Sequence, residues 1–192
     1  MNQEELNEIL ENHRLWLENH AKGECADLSH TDLSHTDLSH TDLSHTDLSR
    51  ADLRCSDLSY INLKYANLNE ADLIGANLSH ADLRYANLEK ASLIGANLSK
   101  ANLSKANLNR VALEEIKIYK TTLPKNYKIL NSVFIILANK KDKIIKIGCE
   151  CYTIEKWKQI GLNIANMEGL TNKQIEILKD DIEWIEMWFN KK

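Results

Sequence analysis

The sequence predicts a mainly-β chain built around a four-sided (quadrilateral) parallel β-helix, with an N-terminal capping helix and a small α+β module at the C-terminal end. Three observations carry that prediction. A leucine stands at every fifth position from Leu28 to Leu113, eighteen units without a gap. Two residues before each leucine stands Ala, Thr, Ser, Ile or Val, and the residue just before it is in most units Asp or Asn. Outside this block the period is lost, and apolar residues recur at helical or strand spacing instead.

A period of five fits neither a helix at 3.6 residues per turn nor a strand at 2, so no single local element buries these leucines along one face. A coil that turns a corner every five residues does. Four units close a square, the leucine and the small residue two before it point inward, and the other three positions face water. The inward partner is small because a close-packed interior leaves little volume beside the leucine layer. Leu28, Leu48, Leu68, Leu78 and Leu98 are thus expected core residues, and successive coils stack about 4.7–4.9 Å apart.

The units include TDLS four times in tandem and the stretch ADLIGANLSHADLRYANL. This pattern resembles the pentapeptide-repeat family, A(D/N)LXX, over 88 of the 192 residues. The opening segment, with Leu10, His13, Trp16, Leu17 and Gly23 ahead of Ala26-Asp27-Leu28, is similar to the helical lead-in of members from bacteria and their phages. The resemblance implies a right-handed coil and, for most members, no known biochemical role. It also implies an alternative, since quinolone-resistance members are thought to engage DNA gyrase as DNA mimics. The chain departs from those members: its repeat region nets only −3 and carries no interrupting loop.

Residues twenty apart share a face, and that spacing decides the chemistry of the outward positions. His30, His35, His40 and His45 look like a metal tract in one dimension. The coil assigns them to four different sides, where they cannot converge on one ion at about 2 Å, so no metal site is expected. Asp27, Asp32, Asp37, Asp42, Asp47, Asp52 and Asp57 form an unbroken acidic series. Turn chemistry accounts for Asp and Asn at such places, and an acidic DNA-mimic surface is the functional reading. Ile74 and Ile94 repeat the string LIGANL twenty residues apart, with Tyr65 and Tyr85 stacking on what the reading takes as the neighbouring side. These four residues are the candidate interaction surface.

The expected division is a capping helix in 1–25, the repeat region in 26–113 and the C-terminal module in 116–192. Leu6, Ile9, Leu10, Trp16 and Leu17 give the first segment its helical face. Thr121 to Lys125, with the only proline, reads as a linker. Ile129 to Ala138 and Ile144 to Cys151 read as the strands of a hairpin around Lys140 to Lys143. Helices are expected at Ile154, Trp157, Ile160 and Ile164 behind a Thr153 cap, and from Thr171 through Ile175, Leu178, Ile182 and Ile185 to Trp184, Trp188 and Phe189.

The module has no His, Gly-rich phosphate loop or nucleophile elbow. Cys149 and Cys151 read as small core residues, and the lysines at Lys140, Lys141, Lys143 and Lys146 as a solvated hairpin. No catalytic residue, metal or cofactor is expected. The reading is a non-catalytic protein whose rigid rod meets a macromolecular partner. The alternative is a DNA mimic that inhibits or shields gyrase or another DNA-binding enzyme, phage-encoded in one version. Expected partners are another protein or a second copy of the chain, with no membrane and no direct nucleic-acid binding. The acidic amphipathic start lacks a signal peptide's apolar region, which with the cysteine usage gives a cytoplasmic setting, its own cell's or a host's.

Overall fold

The computed structural model of the chain describes residues 1–113, 116–118, 120–124, 127–131, 135–139, 144–147, 150–153, 155–157 and 171–190. They belong to two compact units, Met1–Pro124 and Lys125–Lys192.

The first unit opens with α1, Gln3–Glu18. Its start is fixed by a capping box: the Asn2 side chain accepts from the Glu5 N–H, and the Glu5 carboxylate accepts from the Asn2 N–H. Glu4 and Glu5 in the first turn suit the positive end of the helix dipole. Leu6 and His13 are the buried side chains of this helix. The returning chain crosses α1 at Gly23, where an added Cβ would lie 2.2 Å from the Asn12 carbonyl oxygen and 2.8 Å from the Trp16 nitrogen. Only glycine fits there.

From Ala26 onward the chain coils with four five-residue units per turn. Parallel bridges join residues twenty apart, from Asp27↔Asp47 through Asn77↔Asn97 to Asn102↔Thr122, one bridge residue per side. The unit 76–80 shows how every backbone N–H is satisfied. Ala76 N–H closes the preceding turn onto the Leu73 carbonyl at 3.0 Å, and Asn77 N–H reaches down to Ser56 O at 3.0 Å. Leu78 and His80 reach up to Asn97 O at 2.8 Å and Ser99 O at 2.9 Å. Ser79 N–H goes to the Asn77 side-chain oxygen at 3.3 Å. The fourth N–H in each unit therefore depends on an Asp or Asn two residues earlier, which is why that residue type recurs before the leucine.

Each corner is a tight turn whose third residue has a positive φ of 55–68°, from His30 to Lys120. Among the described corners only Gly75 and Gly95 are glycine; sixteen others carry side chains in the left-handed region, where a Cβ costs on the order of 1–2 kcal/mol. Corner N–H bonds to the next coil, such as His80 to Ser99, hold them there. Inside, the leucines from Leu28 to Leu113 are at most 5% exposed, Leu28, Leu48, Leu68, Leu78 and Leu98 among them.

The coil does not stop at Leu113. Lys117 bridges Asn97 and Thr122 bridges Asn102, so two further units follow. Leu103 N–H donates to Thr122 O at 2.7 Å, and the Thr121 hydroxyl donates to Leu98 O at 2.6 Å. Thr121 and Thr122 thus belong to the coil rather than to a linker, and the second unit begins at Lys125 rather than at residue 116. Ile116 and Thr121 take the inward small position, and Ile118 and Leu123 take the leucine position.

The second unit holds a four-stranded antiparallel sheet in the order β1-β2-β3-β4: β1 Tyr127–Asn131, β2 Ile135–Asn139, β3 Ile144–Ile147 and β4 Glu150–Thr153. Tyr127 pairs with Asn139 and Ile144 with Thr153. Each of the two strands expected from sequence is therefore two antiparallel strands, β1 with β2 and β3 with β4. Residues 155–157 are helical, with Lys156 N–H 3.4 Å from the Thr153 hydroxyl. Helix α2, Asn172–Asn190, buries Ile182, Ile185 and Phe189. Glu114, Glu115, Lys125, Val133, Phe134, Lys140, Lys141, Lys143, Cys149, Ile154, Ile160 and Ile164 lie outside the described residues. No helix among those described is long and apolar enough to cross a membrane.

Candidate interaction surface

The coil converts sequence spacing into four corner columns. His30, His35, His40 and His45 occupy one corner each, one coil below Arg50, Cys55, Tyr60 and Tyr65. Among the described residues no three His, Cys, Asp or Glu side chains are grouped to hold a metal ion.

Two corners carry aromatic ladders. In one, Tyr60 stacks between His40 and His80, with ring centroids 4.8 and 4.3 Å apart. In the next corner along the chain, His45, Tyr65 and Tyr85 stack at 4.9 and 4.7 Å, and Trp16 of α1 meets His45 edge-on at the bottom. Lys105 ends this ladder, 2.6 Å from the Tyr85 hydroxyl and 4.7 Å from its ring centre. That hydrogen bond from Lys105, together with the charge it carries, lowers the Tyr85 hydroxyl pKa from its ordinary value. Tyr60, Tyr65 and Tyr85 are 52, 43 and 40% exposed despite the stacking.

Ile74 is 37% exposed and Ile94 half-buried, above Arg54 in another corner column. Tyr65 and Tyr85 do not adjoin them. Nine residues separate Tyr65 from Ile74 in a twenty-residue coil, which puts the tyrosines at the diagonally opposite corner. The four residues expected to make one surface therefore belong to two. The spacing rule was enough to show this, and it also pointed to Tyr60 between His40 and His80, which lies outside the surface expected from sequence.

The acidic series has a structural task first. Asp27, Asp32, Asp37, Asp42, Asp47, Asp52 and Asp57 each accept the N–H two residues on, at 2.9–3.1 Å. In Asp27, Asp32 and Asp37, hydrogen bonds from the following serine side chain and backbone hold the carboxyl below its usual range. What stacks above differs. Asn62, Asn67 and Asn77 donate their amides to Asp42, Asp47 and Asp57 one coil below, at 3.0 Å each. Asp27 under Asp47, Asp32 under Asp52 and Asp37 under Asp57 place carboxylate over carboxylate on three successive sides.

The lead-in histidine has a role that no local pattern shows. His13 is fully buried; its Nδ1 accepts the Ala26 N–H at 3.1 Å, and its Nε2 is 3.4 Å from the Thr46 hydroxyl. An accepting Nδ1 requires the neutral ring with the proton on Nε2. Burial lowers its pKa, against the pull of Asp42.

The family model described as pentapeptide repeats matches in eight copies across residues 24–59, 51–84 and 81–117. A pentapeptide repeat protein from Nostoc sp. PCC 7120 is 42% identical over 48% of this chain and 77% of its own, with a TM-score of 0.47. One from the thylakoid lumen of Arabidopsis thaliana is 31% identical over 51% of this chain and 65% of its own, TM-score 0.32. HetL, involved in heterocyst differentiation regulation in Nostoc sp. PCC 7120, is 27% identical over 52% and 79%, TM-score 0.33. No curated protein matches the chain significantly. With the repeat and its inward leucines, the family model and the 42% identity over 77% of the Nostoc protein show that the chain belongs to the pentapeptide-repeat family.

Proposed function

We propose that the protein is a non-catalytic binding protein whose coil, right-handed and quadrilateral, presents a rigid surface to a macromolecular partner. One observation carries this reading: large side chains stand exposed at fixed corners, Tyr60, Tyr65 and Tyr85 in ladders and Ile74 beside Gly75. Corners held by inter-coil hydrogen bonds lose little freedom on binding, so the cost of ordering them is already met in folding. Aromatic residues on a stiff frame are the usual anchors of such contacts. The test is capture from cytosolic extract by the immobilised full chain beside a Tyr60→Ser, Tyr65→Ser, Tyr85→Ser variant. A specific protein retained by the first and lost by the second supports the reading. Equal retention by both sinks it.

A narrower reading is DNA mimicry, favoured by the stacked carboxylates of Asp27/Asp47, Asp32/Asp52 and Asp37/Asp57 on three sides of the first two coils. Partially screened, such rows present a negative stripe to a basic groove. Asn already fills the equivalent place at Asn67 and Asn77, so Asp→Asn changes keep the turn acceptor; at Asp32 and Asp37 they remove only charge, and at Asp52 they also give up the pair with Arg54. A gyrase supercoiling assay separates the readings: inhibition or shielding that vanishes with Asp32→Asn, Asp37→Asn and Asp52→Asn supports mimicry, and no effect of the unaltered chain rejects it.

A further inference from the structure

We infer that the side of the coil between the two aromatic ladders receives an acidic helix of another protein. This rests on the binding reading above and names the chemistry of the partner. In the first four coils the side is made of residues 41–45, 61–65, 81–85 and 101–105. One edge is the corner His40, Tyr60, His80 and Lys100, and the other is the corner His45, Tyr65, Tyr85 and Lys105. The two ladders thus border one face.

Charge singles this face out. Across the first four coils, residues 26–105, the face and its two corners hold four cations, Lys64, Arg84, Lys100 and Lys105, against two carboxylates, Asp42 and Asp82. Each of the other three sides, taken with both its corners, holds one more carboxylate than cations over the same residues. The surplus lies beside the tyrosines: Lys64 Nζ is 5.1 Å from the Tyr65 ring centre and Lys105 Nζ 4.7 Å from that of Tyr85. Asp42 accepts the Asn62 amide and Asp82 is paired with Arg84. α1 reaches the face at its foot, where Trp16 meets His45. Coils two to four, above it, hold all four cations and only Asp82.

The face also selects among negatively charged partners. Its backbone is closed to an added strand: the Asn62, Leu63 and Tyr65 N–H groups go to the Thr41, Asp82 and Arg84 carbonyls, and the Lys64 N–H goes to the Asn62 side chain. Strand addition needs free main-chain groups. A nucleic-acid strand is held by bases stacking on ring faces. Here those faces are already taken by stacking within the ladders, at 4.3–4.9 Å. What remains is ring edges and cations, which suit the carboxylates and apolar side chains of an amphipathic helix. The face is about four extended residues, roughly 13 Å, across, and a helix with its side chains is about 10–12 Å wide. Helical turns about 5.4 Å apart run nearly in step with coils about 4.8 Å apart. Glu or Asp at every third or fourth position thus meets Lys64, Arg84 and Lys105 on successive coils.

The test is fluorescence anisotropy on the full chain with a labelled peptide of Glu, Leu and Ala, about 16 residues long, enough as a helix to span coils two to four. The same peptide with Gln for every Glu, and a labelled oligothymidylate, are the comparisons. At low salt the acidic peptide is expected to bind, with the Gln peptide and the oligonucleotide at least about tenfold weaker, and about 0.5 M salt to release it. Lys64→Ser with Lys105→His removes two cations from the face, and Arg54→Ser with Lys90→His removes two from elsewhere on the coil. Ser44, His45, Ser34 and His30 already stand at the equivalent places, so folding is kept; circular dichroism checks it. The first pair should weaken the acidic peptide about tenfold, and the second should leave its affinity nearly unchanged. The proposal is overturned if the acidic peptide does not bind at low salt, if the Gln peptide or the oligonucleotide binds as tightly, or if both pairs weaken it equally. Each of these results leaves standing any protein captured by the unaltered chain and lost from the tyrosine variant, so the two readings fail separately.

Discussion

Asn77→Asp isolates the energetics of the outward ladder. Asn77 accepts the Ser79 N–H, receives the Asn97 amide at 3.2 Å, and donates its own amide to Asp57 at 3.0 Å. Aspartate keeps both acceptor roles and removes the donor, so two carboxylates then face each other across one coil. Losing a hydrogen bond to a charged group costs about 1.5–3 kcal/mol. The repulsion of two unit charges at about 5 Å adds about 0.8 kcal/mol in water and about 3 kcal/mol at an effective dielectric of 20. Asn77 and Asp57 are half-buried, so solvent screens much of this and a total near 2 kcal/mol is expected. At about 2–4 °C per kcal/mol for a chain of this size, the melting temperature falls by roughly 4–8 °C at neutral pH. The repulsive part exists only while both groups are ionised and is removed by protonation in acid. Asn77→Ser, the residue that Ser92 already places before a leucine, loses the bond without the charge and serves as control. Thermal melts by circular dichroism at pH 7 and near pH 3 decide the matter. An equal loss at both values, or none at pH 7, would falsify the ladder account.

Leu78→Ala empties a fully enclosed site and should cost about 2–5 kcal/mol in chemical denaturation, with Leu78→Asp worse because it buries an unpaired charge; unchanged midpoints would show the inward assignment to be mistaken. Gly23→Ala drives a Cβ into the Asn12 carbonyl and should lift α1 from the first coil, read as faster hydrogen exchange at Ala26 and Asp47, while coils three to five keep their protection. His13 makes stability depend on mild acid. Its folded pKa is lowered, so below about pH 6.5 the unfolded chain takes up a proton that the folded chain refuses. The His13 contribution is complete above that pH and shrinks as pH falls, by at most about 1.4 kcal/mol per unit, until the folded ring itself protonates. His13→Gln should remove this slope between pH 6.5 and 5; a slope that survives belongs to another group.

The inward positions of the coil were legible because one constraint, a leucine layer closed by small residues, repeats at a fixed interval. The same rule extended further than the leucine count suggested. Ile116-Lys117-Ile118 and Thr121-Thr122-Leu123 satisfy it with isoleucine and threonine, residues the strict leucine pattern passes over. The corner conformation was not legible, since His, Arg, Tyr and Lys stand where left-handed backbone would call for Gly or Asn. Inter-coil hydrogen bonds, twenty residues away in sequence, impose it. His13 was hidden for a similar reason: its bond to Ala26 exists only once α1 has docked. In the second unit, short apolar runs joined into single strands because a two-residue break carries little weight against their hydrophobicity.

The equivalence of the units sets a rule for how such a surface changes. Deleting one TDLSH from 31–45 leaves every leucine inside and every turn intact, because any unit fits beneath any other. Yet every later residue moves a quarter turn relative to the His13 and Gly23 anchor, so the Tyr65 and Tyr85 column leaves the corner at which Trp16 of α1 meets the ladder. Two deletions put that column at the opposite corner, and four restore the original columns one coil shorter. The address of each outward side chain is thus its unit number modulo four, counted from the capped end. Length changes in multiples of five are silent in the core and speak only through which residues come to share a face.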